Sequence, residues 1–439
     1  MTFPRWLIAA SFAPTLFAQQ PAQPPTWADH SVLESVNSEL PKWIQFGGEY
    51  RIRWEGFANS GFRPENDDFH LLHRVRLNLT LKPSKWFKVF VQGQDARVWG
   101  AELIPHAPPY QDTYDLRQAY VELGGEAQPF TLRTGRQEIT FGEERLVGAS
   151  NWANAARTFD AVRLDLRTRG LRVSSFASSV VVTQEGTFDH HTQANNLHGI
   201  FANAERWLPR TKVEPFLFWR LNPRARAETG LTGKLDTRTF GVRLTSALTK
   251  RLTFVSEMAM QRGNSSTDRV SAWAGHWRIE QLVGKRYTPK LRAEFNYATG
   301  DRDPRDGKVG VFDVLYPTPH DKYGLADQVG WKNVEHAAII FEMKPVSRLT
   351  LQGKFHTWWL AQAADALYNA PGAVLVPRDP TGRSGRHIGE EADIQAIWAA
   401  GKNVLLGGGV GHIFTGEFLN NRTPGANYTF PYVMFTYTF

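Results

Sequence analysis

Basic side chains recur at every second position in several segments of the chain. Arg51 and Arg53 have this spacing in one segment, and Arg74 and Arg76 have it in another. Successive side chains of an extended strand point to opposite faces, so residues two apart share a face. Guanidinium groups bind carboxylates through paired, charge-assisted hydrogen bonds. The spacing therefore predicts a surface that binds anions, with no covalent chemistry.

Residues for other kinds of chemistry are absent or wrongly spaced. The chain has no cysteine, which excludes disulfides, thiolate metal sites and cysteine nucleophiles. It has no Gly-x-Ser-x-Gly nucleophile elbow. The neighbouring acids Glu143 and Glu144 have no recognisable partner for acid–base catalysis, and the histidines lack metal-ligand spacing. We therefore expect no catalytic residue, no cofactor and no metal.

One acidic loop leaves calcium open as an alternative. Asp301, Asp303 and Asp306 precede Gly307, but the spacing departs from that of an EF-hand and two arginines interrupt it. The favoured interpretation of residues 301–307 is a solvated extracellular loop.

Alternation with a period of two predicts the elements that position the basic residues. Between Ile44 and Glu55, mostly apolar residues occupy one face and mainly polar or charged residues, among them Arg51, occupy the other. The same pattern predicts about eighteen strands, each with the ~9–11 residues that a tilted strand needs to cross a bilayer. The predicted ranges are 44–55, 71–82, 86–98, 114–123, 130–142, 158–168, 170–180, 195–204, 213–221, 237–247, 250–261, 269–279, 289–300, 334–345, 347–361, 386–399, 402–414 and 428–439.

The connections between the predicted strands alternate in length. Short connections such as 83–85 and 248–249 follow even-numbered strands, whereas most odd-numbered strands precede longer ones such as 301–333 and 362–385. Transmembrane barrels have short periplasmic turns and long extracellular loops. The predicted fold class is therefore all-β, a transmembrane antiparallel β-barrel of about 18 strands over residues 44–439.

Both ends of the chain fit delivery to an outer membrane. Residues 1–18 combine Arg5, a mostly apolar stretch and Ala18 at the predicted cleavage point, which is the pattern of a signal peptide. Residues 19–43 are predicted to form an N-terminal periplasmic segment. The last predicted strand ends on Phe439, a feature of strands that the outer-membrane assembly machinery recognises.

Aromatic residues are frequent and gather at predicted strand ends. The chain has 15 Trp, 28 Phe and 12 Tyr residues. Such residues form girdles at the lipid headgroups of a barrel, and an ordinary soluble core is the alternative. The predicted girdle residues are Trp54, Phe57, Trp86, Phe87, Trp219, Trp358, Trp359 and Trp398.

The polar face of the predicted strands would line the lumen. Basic residues outnumber acids on this face, and the chain has a net charge of +8. Fixed positive charge in a narrow pore concentrates anions. The alternative is a buried network of arginine–carboxylate pairs that holds the barrel open or plugged, and either role is open for a single arginine. The predicted pore residues on this face include Arg51, Arg74, Arg163, Arg243, Arg292 and Lys354.

Four short motifs set residues 131–164 apart from the rest of the chain: Gly135-Arg136-Gln137, Arg145-Leu146-Val147-Gly148, Trp152-x-Asn154 and Arg157-Thr158-Phe159-Asp160. In these motifs the segment resembles the alginate-export family of outer-membrane barrels, and a weaker likeness extends over residues 44–439. This resemblance implies eighteen strands and an arginine-rich constriction that passes a polyanionic polysaccharide. It also implies that Arg136 and Arg157 are pore arginines, with Arg145, Arg74 and Arg51 as further candidates.

The predicted function is a passive outer-membrane channel for anionic solutes, with an acidic polysaccharide such as alginate as one candidate. Two alternatives are a plugged scaffold or adhesion barrel and a barrel enzyme that acts on lipid. The expected partners are outer-membrane lipid, lipopolysaccharide, an anionic small molecule or polysaccharide, and the outer-membrane assembly machinery. No nucleic-acid partner is expected, and eighteen strands would suffice for a monomeric pore.

Overall fold

Eighteen antiparallel strands form one closed barrel. The computed structural model describes residues 31–125 and 127–439, without the side chain of Arg206. The predicted signal peptide therefore lies outside the described residues. Each strand pairs with its neighbours in the chain. In chain order the strands are β1 Ile44–Phe57, β2 Asp68–Ser84, β3 Phe87–Trp99, β4 Asp112–Gly124, β5 Phe130–Gln137, β6 Phe159–Thr168, β7 Leu171–Val182, β8 His190–Leu208, β9 Thr211–Arg226, β10 Thr232–Ala247, β11 Leu252–Ser265, β12 Asp268–Leu282, β13 Lys290–Ala298, β14 Val334–Val346, β15 Leu349–Leu360, β16 His387–Ala399, β17 Val404–Thr415 and β18 Tyr428–Thr438.

The first and last strands close the barrel. Ile52 of β1 pairs with Phe435 of β18 in an antiparallel register. The backbone N–H of Gly48 donates to the carbonyl of Phe439 at 2.6 Å, so the last residue takes part in the closure. A closed sheet leaves no strand edge unpaired, as the interior of a bilayer requires.

The two faces of the wall follow the predicted alternation. On β1, the side chain of Trp54 points outward and is 50% exposed, whereas Arg51 and Arg53 point into the barrel and are 5% and 2% exposed. The predicted girdle residue Trp358 is an exception, because it is buried inside the barrel and its indole N–H donates to the carbonyl of Tyr323 at 2.8 Å. Trp358 and Trp359 are consecutive strand residues, so only one of them can face lipid.

Connection length alternates around the barrel as predicted. The turns after β6 and β8 each contain two residues, whereas residues 138–158, 299–333 and 361–386 follow odd-numbered strands. No helix in the described part of the chain has the length and apolar character needed to cross a membrane. The remaining elements of the described residues are the helices α1 Glu34–Glu39 and α2 Glu417–Arg422, the 3-10 helix Ser60–Phe62, and the short strands Lys308–Val309, Leu367–Tyr368 and Val374–Val376.

Two strand boundaries differ clearly from the predicted ones. The fifth strand was expected to reach residue 142, but β5 ends at Gln137. Beyond it, Ile139 is fully buried inside the barrel, because the chain leaves the wall although its sequence still alternates. The eighth strand was expected over residues 195–204 and is longer, from His190 to Leu208. The first residues of β8 continue the pairing with β7, as far as His190 opposite Val182.

Candidate functional site in the barrel lumen

The first inward loop, residues 138–158, folds into the lumen and packs against an apolar part of the wall. The inner faces of β6 to β9 carry aromatic residues there in place of charges, including Phe176 and Phe218. The ring of Phe141 stacks on that of Phe201 at a centroid distance of 4.7 Å. Burial of an apolar side chain contributes about 1.5–3 kcal/mol, so this patch favours insertion of the loop over exposure to water.

The second inward loop, residues 310–333, is joined to the first by backbone hydrogen bonds. Val147 and Tyr316 form a parallel bridge. The N–H of Gly148 donates to the carbonyl of Tyr316 at 2.8 Å, and a side chain at Gly148 would collide with Thr318. Arg157 donates to the carbonyls of Gly148 at 3.2 Å and Pro317 at 2.8 Å. The two loops therefore form one unit inside the lumen.

Arginines of β1 and β2 hold the tip of the first inward loop, residues 151–154. Arg51 donates to the carbonyls of Asn151 and Trp152 at 2.9 and 3.0 Å. Arg74 donates to the carbonyls of Asn151 and Ala153 at 3.1 and 3.0 Å. Arg53 donates to the carbonyl of Trp152 at 2.7 Å, and its guanidinium lies 3.8 Å from the centre of the Trp152 ring. The predicted pore residues Arg51 and Arg74 thus contact the loop tip directly.

These arginines belong to a cluster with more positive than negative charge. The arginine cluster consists of five buried residues, and only three of them pair with a carboxylate: Arg53 with Glu55, Arg74 with Glu49 and Arg117 with Glu138. Among the described residues, neither Arg51 nor Arg76 forms an ion pair. The acceptors that the loop tip offers to these guanidinium groups are neutral carbonyl oxygens. A carboxylate in the same positions would accept stronger, charge-assisted hydrogen bonds. The members of the arginine cluster are Arg51, Arg53, Arg74, Arg76 and Arg117.

Glu143 ties the first inward loop to the opposite wall. Its carboxylate accepts hydrogen bonds from Arg243 of β10 and Arg278 of β12, each at 2.8 Å, and lies 3.7 Å from Arg145. Burial alone raises the pKa of Glu143, but the surrounding guanidinium groups outweigh that effect and hold the pKa below its ordinary value. β10 is nine strand positions from β1, which is half of the eighteen-strand ring. The loop therefore crosses the lumen from one wall to the other.

The other inward-facing predicted residues pair with nearby acids. Arg163 contacts Asp165 at 3.0 Å. Arg292 contacts Glu342 at 2.9 Å. Lys354 forms an ion pair with Asp321 of the second inward loop. Pairing does not test whether a solute binds these groups, so their role in the pore stays a prediction.

The structure corrects the expectation that Arg136 lines the pore. Arg136 is paired across β5 with Ala119 of β4 and with Asp160 of β6, on the register that points away from the lumen. Its guanidinium contacts Asp160 at 2.9 Å and donates to the carbonyl of Asp189 at 2.9 Å. The inward positions on either side are Gly135 and Gln137. Arg136 thus braces the wall where β5 ends, because it also donates to the carbonyl of Leu116 on β4 at 3.1 Å.

Sequence reasoning missed several charged residues of the lumen. Arg117 and Gln118 are consecutive but both buried, because the β3–β4 register shifts at this point and breaks the alternation. Arg278 lies in a strand with ragged alternation. Lys322 lies on the second inward loop, where burial and the nearby charge of Arg145 lower its pKa. No ion pair of Lys322 is found in the described part of the chain. The only sequence signal for Lys322 was its place in a long loop.

A chain of hydrogen-bonded side chains connects the barrel wall beneath both loops. His276 contacts Asn296 at 2.7 Å, Asn296 contacts His336 at 2.7 Å, and His336 contacts His356 at 2.9 Å. His356 then lies 3.3 Å from the carboxylate of Asp393. These residues are almost fully buried. Since buried polar groups need partners, the chain explains how histidines without metal-ligand spacing are accommodated.

A cavity of about 680 Å³ opens at the extracellular mouth of the barrel. Arg220, Lys332 and Arg378 bring positive charge to its lining. Glu228 also lines the cavity, and burial together with the nearby Asp301 and Asp365 raises its pKa to about 8. Its carboxyl group is therefore neutral at pH 7, which leaves the basic residues dominant.

Raising the pH from about 7 to about 9 is expected to weaken any anion preference of the channel. A raised pKa means that Glu228 stays protonated below about 8 and becomes an anion above it. The reversal potential under a salt gradient, measured across this pH range, reports the change. Glu228→Gln keeps the site neutral, so its reversal potential should depend less on pH. An identical pH dependence in parent and variant would rule out Glu228 as the cause.

A closed barrel of eighteen strands with loops folded into a charged lumen defines an outer-membrane channel of the porin type. The chain belongs to the alginate export family, whose model matches residues 42–432. Membership confirms the family resemblance found in the sequence, and with it the outer-membrane location. No curated protein shows a significant sequence match to the chain.

Solved structures that share the fold include three from two bacteria. OpdQ of Pseudomonas aeruginosa has 11% sequence identity and a TM-score of 0.60, covering 92% of this chain and 99% of that chain. OccK5 (OpdH) of the same organism has 11% identity and a TM-score of 0.60, over 90% and 98% of the two chains. OccAB2 of Acinetobacter baumannii has 10% identity and a TM-score of 0.60, over 91% and 99%. At such identities the likeness concerns the fold, and it confirms the predicted barrel.

Proposed function

We propose that the protein passes anionic solutes passively, along a path beside the arginine cluster. The observation that carries this proposal is the excess of guanidinium groups over carboxylates on the β1, β2 and β4 wall. Several guanidinium groups of the cluster retain N–H donors that have no hydrogen-bond partner among the described residues, for example the Nε of Arg51 and one Nη of Arg76. A passing carboxylate would replace part of its hydration with these donors. No covalent step is needed.

The opposite wall would not compete for anions to the same degree. Arg243 and Arg278 there share Glu143, and Arg243 also contacts Glu214. Glu257 and Glu294 are buried close by, within 4.0 Å of these arginines. The charge of this wall is therefore matched by acids, and the field across the lumen draws anions toward the arginine cluster.

The proposed solute is either a polymer, namely an acidic polysaccharide such as alginate, or a small organic acid. Support for the polymer comes from the family, which is described by alginate export. A chain with a carboxylate on each sugar could engage several guanidinium groups in turn. We further propose that the channel works as a monomer, that lipopolysaccharide surrounds it, and that the outer-membrane assembly machinery inserts it through the strand ending at Phe439.

Replacing Lys322 by glutamine is expected to lower the preference for anions. Lys322 lies on the second inward loop without an ion pair among the described residues, so its removal takes away a lumen charge but no salt bridge. One charge at contact distance in water contributes on the order of 1 kcal/mol, or roughly a fivefold change in local anion concentration. The measurement is the reversal potential of the refolded protein in a planar bilayer under a potassium chloride gradient, with and without oligouronate.

Lys250→Gln is the matched control, because Lys250 is exposed in the turn between β10 and β11 and the charge change is the same. The proposal requires an anion-selective parent, a smaller selectivity in Lys322→Gln and no change in Lys250→Gln. A cation-selective parent would overturn it. Absence of any conductance would favour a plugged scaffold, and lipid-modifying activity without conductance would favour an enzyme. Block by oligouronate distinguishes a polymer path from one for small acids.

A further inference from the structure

Four basic side chains lie together on the outer face of the wall at the extracellular ends of β10, β11 and β12. Arg238 and Arg262 are directly paired across β10 and β11. Arg262 is in turn paired with Ser271 of β12, and Arg269 follows two positions away on the same face. The side chains of Lys234 and Arg238 are 67% and 53% exposed. The outer basic patch consists of Lys234, Arg238, Arg262 and Arg269.

The patch lies at the upper edge of the lipid-facing apolar band. The next outward-facing residues toward the periplasm are Phe240, Met260 and Trp273, which are 41%, 43% and 37% exposed. Trp219 is paired with Arg238 at the level of the patch, and the guanidinium of Arg238 lies 5.2 Å from the centre of the Trp219 ring. This level is where an aromatic girdle meets the headgroups of the outer leaflet.

Within the described residues, the only acid that pairs with the patch is Asp236. It lies 3.1 Å from Lys234 and 3.7 Å from Arg238. Elsewhere on the outer wall, arginines occur with one acid each, such as Arg97 with Asp95 and Arg386 with Glu335. Like charges directly opposite each other on neighbouring strands are destabilising. Arg238 therefore shares its one acid with Lys234, and Arg262 has no carboxylate partner among the described residues.

We propose that the outer basic patch binds the phosphorylated glycolipid of the outer leaflet, through a phosphate held between Arg238 and Arg262. Guanidinium groups match phosphate oxygens with paired hydrogen bonds. The acyl chains of the same molecule would lie on Phe240, Met260 and Trp273. A ligand at this height must share the membrane with the barrel, which selects a lipid over a soluble anion. The site is independent of the proposed transport path, because it lies on the opposite face of the wall.

The test is native mass spectrometry of the full-length mature protein in detergent with purified bis-phosphorylated lipid A and with lipid A stripped of its phosphates. The parent should retain the bis-phosphorylated form, and Arg238→Gln with Arg262→Gln should bind it about tenfold more weakly or worse, since each arginine supplies charge-assisted hydrogen bonds. Binding of the stripped lipid should be weak in both proteins. The single variant Arg262→Gln gives an intermediate result if the double variant does not fold.

Lys250→Gln with Arg251→Gln is the matched control, because it removes two exposed charges from a turn at the other end of the barrel. The control should bind lipid A as the parent does. Equal binding by the two double variants, or no preference for the phosphorylated lipid in the parent, would overturn the proposal. Displacement of the lipid by inorganic phosphate at comparable concentration, or a dimer without bound lipid that the patch variant disrupts, would also overturn it. Conductance should be the same in all these proteins.

Discussion

A channel with Arg51→Gln and Arg74→Gln is expected to spend much more time in a high-conductance state than the parent. These two arginines donate to the carbonyls of residues 151–154 and so hold the loop tip against β1 and β2. A hydrogen bond to a charged group contributes about 1.5–3 kcal/mol. Loss of both arginines should therefore shift the balance between held and released loop by roughly a hundredfold. Single-channel recordings measure the fraction of time in each conductance level.

The matched control is Arg133→Gln with Arg292→Gln, which also removes two lumen charges. Arg133 pairs with Glu122 and Arg292 with Glu280 and Glu342, all on the wall. Neither residue contacts an inward loop through a hydrogen bond or ion pair. Selectivity should fall in both double variants, but conductance should rise only when the loop tip is released. The same distribution of conductance levels in both would mean that other contacts hold the tip.

Replacing Glu143 by glutamine is expected to destabilise the barrel and to increase its preference for anions. Glu143 is the shared partner of Arg243 and Arg278, and it also lies near Arg145. Removal of one partner from a buried ion pair typically lowers the free energy of unfolding by about 3–5 kcal/mol. The loss in Glu143→Gln should lie near the lower value, because Arg243 and Arg278 keep Glu214 and Glu294 as further acidic neighbours. Urea unfolding in lipid vesicles, followed by tryptophan fluorescence, measures the loss.

Glu335→Gln is the control for this change, because Glu335 pairs with Arg386 on the outer face and both side chains are substantially exposed. Loss of an exposed pair should alter the free energy of unfolding by no more than about 1 kcal/mol. The reversal potential separates the two effects of Glu143→Gln, since only a lumen charge changes selectivity. A variant as stable as the Glu335 control would refute the role of Glu143 as the tie between loop and wall.

The barrel itself could be predicted from the sequence because the membrane constrains it strongly. Lipid accepts only apolar side chains and no unpaired backbone, so each strand must alternate and the sheet must close. That constraint places Arg51 and Arg74 inside and Trp54 outside, and the structure agrees. The alternation of short turns and long loops likewise follows from the side of the membrane on which each connection lies.

The same rule fails where the wall is irregular. A shift of one residue turns every following side chain to the other face. The resemblance to the family placed Arg136 in the pore, but its register with Ala119 and Asp160 puts it on the outward face. The register shift between β3 and β4 brings Arg117 into the lumen, a position that strict alternation does not predict. The sequence of one strand cannot predict which way Arg136 or Arg117 points, because the register depends on the partner strand.

The sequence by itself determined the barrel, its two faces and the basic character of the chain, because these follow from local alternation and composition. Only the tertiary structure decided which of the long loops enter the lumen and which charges they meet. Glu143 lies 100 residues from Arg243 in sequence, and Asn151 lies 100 residues from Arg51. Contacts over such separations depend on how the closed wall brings distant strands around one space. The arginine cluster therefore gains its loop partner only when the barrel is complete.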